Sequence, residues 1–135
     1  MIINNKSFKH RIRKNDTIKN LICISKHKLM PFINLAEQKP KEIWPHVHAT
    51  FGHSEKITMA RIMLEKGALV AEHKHVHEQW SVVLEGELEF TLSGETQLVR
   101  PGMVVHIPSN EPHSARAITA CLAMDVFTPV REDFK

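Results

Sequence analysis

The 135-residue sequence lacks several features that would place it in other protein classes. It contains no tyrosine, which excludes the Tyr–Cys cross-link found in some thiol dioxygenases. Its two cysteines, Cys23 and Cys121, lie far apart and form no CxxC motif, so we expect neither a disulfide framework nor a cysteine-rich zinc site. No apolar run approaches the roughly 20 residues that span a bilayer, and the apolar stretch at residues 21–24 is too short for a signal peptide. We therefore expect a soluble, cytoplasmic protein with no membrane partner.

The net charge of +3 is distributed unevenly along the chain. Residues 1–29 hold eight basic residues and one acidic residue, a net charge of +7, whereas residues 30–135 have a net charge of −4. A basic segment can bind nucleic acid, but this one has no recognisable DNA-binding motif. We therefore predict a solvated basic N-terminal extension over residues 1–30, a folded domain over residues 31–135, and no nucleic-acid partner.

Short strand-like runs dominate the chain after residue 56. Seven of them, five to nine residues long, are separated by glycine and proline turns, a pattern typical of an all-β sandwich or barrel. They cover residues 57–64, 68–75, 79–85, 87–92, 96–100, 103–107 and 119–127. Residues 31–56 are less regular and give no strand prediction.

Histidines are concentrated in the stretch HKHVHEQW, residues 73–80. Side chains two apart on a strand point the same way, so His73 and His75 share a face, and Gln79 follows after a bend. His113 lies downstream, after a turn framed by prolines. If neighbouring strands bring these four together, they form a site with three imidazoles and one amide oxygen, which suits a transition metal.

These residues resemble two motifs of the cupin family. Gly67, His73, His75, Gln79 and Gly86 have the spacing of the first motif, and Gly102, Pro108, Asn110 and His113 have that of the second. The resemblance implies a single cupin barrel, that is, a double-stranded β-helix or jelly roll, with metal ligands His73, His75, Gln79 and His113. The sequence departs from the pattern where Gln79 replaces a glutamate, Asn110 a turn glycine and Ala117 an asparagine. Asparagine tolerates the left-handed conformation, so we expect the turn at Asn110 to be kept.

The glutamine changes the expected chemistry of such a site. Three histidines and a neutral amide leave a bound ion with its full +2 charge, which makes it a stronger Lewis acid and a poorer stabiliser of high oxidation states. This favours lyase, hydrolase or isomerase chemistry over oxygen activation. One divalent transition ion per chain is expected, and zinc, nickel, iron and manganese all remain candidates.

A closer resemblance appears when the C-terminal residues are included. The segments HEQ (77–79), IPSNEPHSARA (107–117) and DVFTPVREDF (125–134) are similar to the KdgF-type cupins of pectin and alginate breakdown, which linearise 4,5-unsaturated uronate monosaccharides to keto-acids. The resemblance implies that Asp125, Phe127 and Arg131 are the catalytic residues of the pocket. Arg131 suits a uronate carboxylate, Asp125 suits proton transfer, and Phe127 suits packing on the ring. A purely structural alternative for Asp125 is a buried ion pair with Arg116 or Arg131.

Other interpretations of the same residues remain open. The domain can instead be a non-catalytic cupin that binds a sugar or a small acid, or a cupin oxygenase. His46, His48 and His53 form a second cluster, for which surface or dimer contacts are favoured over a metal site. Because small cupins often pair, and because residues 31–56 need a surface to cover, a homodimer is expected. The expected partner is a small acidic sugar.

Overall fold

The computed structural model describes residues 32–135. The predicted extension over residues 1–30 lies outside the described residues, and so does Cys23. Residues Ile33–Lys135 form a compact unit by themselves. Within the described residues, no helix is long and apolar enough to cross a membrane.

Ten strands and one 3₁₀ turn account for the regular structure of this unit. The strands are β1 (Lys41–Trp44), β2 (Val47–His53), β3 (Thr58–Leu64), β4 (Leu69–His73), β5 (Glu78–Glu85), β6 (Leu88–Leu92), β7 (Glu95–Val99), β8 (Val104–Ile107), β9 (His113–Ala117) and β10 (Cys121–Thr128), and the 3₁₀ turn is Glu132–Phe134.

The strands form two antiparallel sheets. Six strands lie in the order β1-β2-β3-β10-β5-β8 and four in the order β4-β9-β6-β7, and each pair of neighbours is antiparallel. Apolar side chains from both sheets form one buried cluster, which includes Ile62, Val83 and Ile107 from the larger sheet and Leu88 and Phe90 from the smaller one. This arrangement is a jelly roll, and it confirms the predicted all-β fold.

Strict alternation along the central strands separates the inner face from the outer face of the larger sheet. On β3, Thr58, Ala60, Ile62 and Leu64 are buried and the residues between them are more exposed, as expected for a sheet with one face on the core. On β5 the buried residues are Gln79, Ser81 and Val83. The inner face of β5 is therefore polar where the strand begins and apolar further along, which places polar groups at one end of the barrel interior.

Three strands were not predicted from the sequence. β1 and β2 lie within residues 31–56, and β9 (HSARA) follows the prolines of the preceding turn. In β9 the buried residues are His113, Ala115 and Ala117, none of which favours a strand by itself. These strands exist because their neighbours supply the hydrogen-bonding partners, since strand formation depends more on context than on intrinsic propensity.

Among the turns with a left-handed backbone conformation, those at Asn110 and Gly86 show why the residue type matters. Asn110 has φ +65°, so the expectation that the turn is kept with asparagine in place of glycine is confirmed. Gly86 has φ +85°, and a Cβ atom there would overlap the backbone carbonyl oxygen of Ala120. Only glycine fits this turn, which leads from β5 into the smaller sheet.

Candidate metal centre and cavity

The smaller sheet brings two of the predicted ligand histidines together directly. His73 is the last residue of β4 and His113 the first residue of β9, and the two are paired across the strands, with ring centroids 4.2 Å apart. His75 lies in the loop beyond β4, and its ring centroid is 5.0 Å from that of His113. One ligand nitrogen from each of the three rings lies within 4.8 Å of the other two. The three histidines therefore form a group that can hold a metal ion.

His75 reaches this group by a different route from the predicted one. β4 ends at His73, so strand alternation does not set the direction of the His75 side chain. The loop sets it instead, because the backbone nitrogen of Asn110 donates a hydrogen bond to the carbonyl oxygen of His75 at 2.8 Å. The left-handed turn at Asn110 thus helps to hold a residue of the site.

Backbone carbonyl groups fix the tautomer of all three imidazoles. The Nδ1 atoms of His73, His75 and His113 lie 2.9, 2.9 and 2.8 Å from the carbonyl oxygens of Ala71, His77 and Glu111. A carbonyl oxygen can only accept, so each Nδ1 donates. In the neutral ring the Nε2 atom then carries a lone pair, which is the arrangement that supporting hydrogen bonds give to metal-ligating histidines.

Polar atoms at two places in the cluster lack a favourable partner, and a metal ion would be that partner. The Nε2 atom of His113 is buried and has no hydrogen-bond partner among residues 32–135. The Nε2 atom of His75 lies 3.0 Å from Oε1 of Gln79, so two acceptor atoms face each other. A cation between these atoms would satisfy all of them, and the donor set therefore fits a metal.

Two of the histidines, His75 and His113, have lowered pKa values that favour the neutral form needed for metal binding. Burial lowers the pKa of His113 to about 4. Burial, and next the positive charge of Arg131, lower the pKa of His75. Neutral imidazoles are the form that binds metal, so these rings need not release a proton at neutral pH.

Gln79 connects the histidines to Asp125. The Nε2 atom of Gln79 donates to Oδ2 of Asp125 at 2.9 Å, and the hydroxyl of Ser81 donates to Oδ1 at 2.6 Å. Burial raises the pKa of Asp125 to about 6, and the hydrogen bond from Ser81 opposes that rise. Asp125 is half-buried in the cavity wall, where protein atoms replace most of the water around its carboxylate.

The structural alternative for Asp125 is not observed. Among the described residues Arg116 pairs with Glu89, and Arg131 pairs with Asp133. The oxygens of Asp125 accept hydrogen bonds from Gln79 and Ser81, as described above. Asp125 is therefore held by neutral donors inside the cavity.

Phe127 and Arg131 border the same cavity. Its volume is about 250 Å³, and its polar wall consists of His73, His75, Gln79, Ser81, His113, Ser114, Asp125 and Arg131. Phe127 is buried, and its ring lies 5.7 Å from that of His75. All seven predicted site residues therefore line one cavity, while the rest of its wall is mainly apolar.

The sequence analysis missed Ser81, Trp44 and Phe134, which line this cavity, and Asp133, which pairs with Arg131. Ser81 follows Gln79 by two positions on a strand, so alternation alone could have placed it on the same face. Trp44 lies on the unpredicted strand β1, with its ring 5.4 Å from that of His73. Asp133 and Phe134 belong to the C-terminal 3₁₀ turn, where no pattern in the sequence indicated contact with Arg131.

The second histidine cluster does not come together in the described part of the chain. His46 contacts the carboxylate of Glu65 at 3.2 Å, and His53 contacts the hydroxyl of Thr58 at 2.9 Å. His48 belongs to neither contact. The metal interpretation that the sequence disfavoured for this cluster gains no support from its geometry.

Comparisons with known proteins agree with this fold. The family model described as "Cupin domain" matches residues 60–127. A solved RmlC-like cupin from Shewanella frigidimarina is 28% identical, with 77% of this chain and 95% of that chain covered and a TM-score of 0.73. KdgF from Halomonas sp. is also 28% identical, with 77% and 96% covered and a TM-score of 0.72. No curated protein matches the sequence.

A more distant structure shares the fold alone. The predicted oxalate decarboxylase of Thermotoga maritima is 23% identical, with 73% of this chain and 99% of that chain covered and a TM-score of 0.66. The family match spans both histidine motifs and the strands that carry them. The chain therefore belongs to the cupin family, as a small cupin similar to KdgF.

Proposed function

We propose that this cupin opens 4,5-unsaturated uronate monosaccharides, as released from pectin or alginate, to the linear keto-acid. The observation that carries the proposal is that Asp125, Phe127 and Arg131 line the same cavity as the three histidines and Gln79. A small molecule in this cavity would contact a proton-transfer group, a carboxylate-binding group and the candidate metal ligands. The similarity to KdgF from Halomonas sp. supports the same class of substrate.

A single divalent transition-metal ion, for which zinc, nickel, iron and manganese are the candidates, completes the proposed site. His73, His75, Gln79 and His113 would hold it, since their neutral donor atoms suit these metals. When bound, the ion supplies Lewis acidity that stabilises negative charge on a substrate oxygen. The neutral amide of Gln79 leaves the charge of the ion undiminished.

The proposed reaction is an isomerisation. In a 4,5-unsaturated uronate the ring oxygen joins C1 to C5, and the C4–C5 double bond is conjugated with the carboxylate on C5. The C1 hydroxyl loses its proton, the bond from C1 to the ring oxygen breaks, and an aldehyde forms at C1. The ring oxygen becomes an enol oxygen on C5, and proton gain at C4 with proton loss from this oxygen gives the ketone. No atom is gained or lost overall.

Asp125 has the properties that this proton transfer needs. A pKa of about 6 lies near the working pH, where a group can both accept and return a proton. Gln79 and Ser81 fix the orientation of its two oxygens through their hydrogen bonds. In this scheme Asp125 takes the proton from oxygen and delivers one to C4.

Arg131 and Phe127 hold the substrate in the proposed complex. The guanidinium group of Arg131 binds the uronate carboxylate through paired, charge-assisted hydrogen bonds. Phe127 packs against the ring. Because the cavity has only about 250 Å³ of space, a monosaccharide suits it better than an oligosaccharide.

The test follows the ultraviolet absorbance of the conjugated double bond in an unsaturated galacturonate monomer. Metal-loaded protein should remove this absorbance faster than the spontaneous reaction does. Asp125→Asn and Arg131→Lys should each lower the catalysed rate at least 100-fold, while the metal stays bound. Glu85→Gln and Arg116→Lys change exposed residues outside the cavity and serve as matched controls. Full activity of both site variants contradicts the assigned roles.

The same experiment separates the two other functions considered from the sequence. Tight binding of the uronate without turnover identifies a non-catalytic sugar-binding cupin. Oxygen consumption in the presence of a candidate acid identifies an oxygenase.

We also propose that the protein acts as a homodimer in the cytoplasm. Four apolar side chains of the larger sheet are exposed, those of Met59, Trp80, Leu84 and Val104. They support pairing, because exposed apolar groups gain free energy when a partner covers them. Sedimentation of the purified protein tests the dimer, and Trp80→Glu should shift it to the monomer.

A further inference from the structure

Arg131 is held more tightly than the other paired arginines of the described chain. Its Nε atom donates to Oδ1 of Asp133 at 2.9 Å, and its Nη2 atom donates to Oδ2 at 2.7 Å. The Arg131 side chain is 12% exposed, whereas Arg100 and Arg116, which pair with glutamates on the surface, are each 55% exposed. The pair with Asp133 is therefore a shielded, two-point contact, unlike an ordinary surface ion pair.

This contact selects which edge of the guanidinium group is available. A guanidinium group has five N–H donors in one plane, and Asp133 uses the edge formed by Nε and Nη2. Among the hydrogen bonds of residues 32–135, none uses Nη1. The end edge, formed by Nη1 and the second hydrogen of Nη2, keeps its donors and can still bind a carboxylate at two points.

Two aromatic rings restrict the remaining freedom of the group. The Cζ atom of Arg131 lies 4.1 Å from the ring centroid of Phe134 and 5.0 Å from that of Phe127. These contacts restrain the plane of the guanidinium group, whereas the contact with Asp133 restrains rotation within that plane. Together, the two restraints fix the direction in which the end edge of the guanidinium group points.

The electrostatic effects agree with this arrangement. The positive charge of Arg131 lowers the pKa of His75 and of His113, although burial is the larger cause for both. The guanidinium group therefore lies close enough to interact electrostatically with these histidines. The hydrogen bond from Arg131 holds the pKa of Asp133 at about 2. Asp133 is consequently ionised throughout the working pH range, and it offsets one positive charge beside the histidines.

We infer that Asp133 is a positioning residue, which aims the free edge of Arg131 at the carboxylate of an acidic substrate. This inference rests on the proposed function for the identity of the substrate, but not for the binding of a carboxylate. Asp133 itself is 57% exposed and acts through Arg131. Its removal should weaken binding of the substrate and leave the chemical step largely unchanged.

The first experiment measures kinetics with the unsaturated galacturonate monomer on metal-loaded protein. Asp133→Asn should raise KM at least tenfold while kcat changes less than threefold, and Asp133→Glu should recover part of the loss. Glu132→Gln, which alters the neighbouring exposed acid that pairs with Lys135, should match the wild type. A KM for Asp133→Asn within twofold of the wild-type value overturns the inference, even if the variant is less stable.

A second experiment separates this inference from the proposed reaction. Equilibrium binding of saturated D-galacturonate and of neutral D-galactose is followed by tryptophan fluorescence, which needs no turnover. The wild type should prefer galacturonate, and Asp133→Asn should lose at least tenfold of that preference. If the wild type shows this preference and Asp133→Asn loses it, but the wild type does not turn over the unsaturated sugar, the proposed reaction fails and the role of Asp133 stands; a variant that keeps the preference overturns the inference. If the wild type shows no preference for galacturonate, the inference fails.

Discussion

Replacing Gln79 by glutamate tests how the glutamine serves this site. Gln79 is buried, its amide nitrogen donates to Asp125 at 2.9 Å, and its amide oxygen faces His75. Gln79→Glu removes that donor and places a second carboxylate against Asp125. In the metal-free protein the two carboxylates cannot both be ionised at this distance, so one of them must keep a proton.

The magnitude follows from the proton that the pair keeps. Each unit by which the pKa of the pair rises costs about 1.4 kcal/mol, and two carboxylates in contact raise one pKa by roughly two units. We therefore expect the free energy of unfolding to fall by about 3 kcal/mol at pH 8. For a domain of this size that corresponds to a fall of roughly 12–24 °C in Tm.

The pH dependence of this loss has a definite sign. The carboxylates have a higher pKa in the folded variant than in the unfolded chain, so the folded state binds the extra proton. The stability deficit is therefore greatest at high pH, and it should shrink as the pH falls from 8 to 5.

Urea unfolding of chelator-treated protein at both pH values measures the effect. Gln97→Glu is the matched control, because Gln97 also donates to a carboxylate, that of Glu95, at 2.9 Å, but on the exposed surface. The control should change the free energy of unfolding by less than about 0.5 kcal/mol. Equal losses in the two variants, or a deficit for Gln79→Glu that does not depend on pH, would refute the reasoning.

Three further predictions concern the metal, the backbone and the C-terminal turn. His113→Ala should reduce bound metal from one ion per chain to less than a tenth, as measured by elemental analysis, while His46→Ala retains it. Gly86→Ala should destabilise the fold far more than Gly94→Ala in urea unfolding, because both have positive φ but only the Cβ atom at residue 86 meets backbone; equal losses would contradict this. The Asp133 carboxyl should titrate near pH 2 by NMR, and the stability that it contributes above pH 4 should disappear as the pH falls through 2; a value near 3.8 would show that its pair with Arg131 is not formed.

The sequence alone predicted the fold class and seven of the residues that line the cavity. Alternation in strands such as β6 and regularly spaced turns indicated an all-β domain, because a strand with one buried face leaves that period in its sequence. The spacing of His73, His75 and His113 indicated a shared metal site. Three histidines that converge on one place have few shared functions other than metal binding, so their spacing is a strong indication of a metal site.

The tertiary structure decided how these residues work. Strand β9 forms because β4 and β6 pair with it, and that pairing puts His113 beside His73. Register between β5 and β10 sets Ser81 opposite Asp125, although the two lie 44 residues apart in the chain. Local sequence records which face of a strand is buried, but it does not record which strands become neighbours. The hydrogen bonds that hold Asp125, and the aromatic and acidic groups that hold Arg131, therefore appear only in the folded chain.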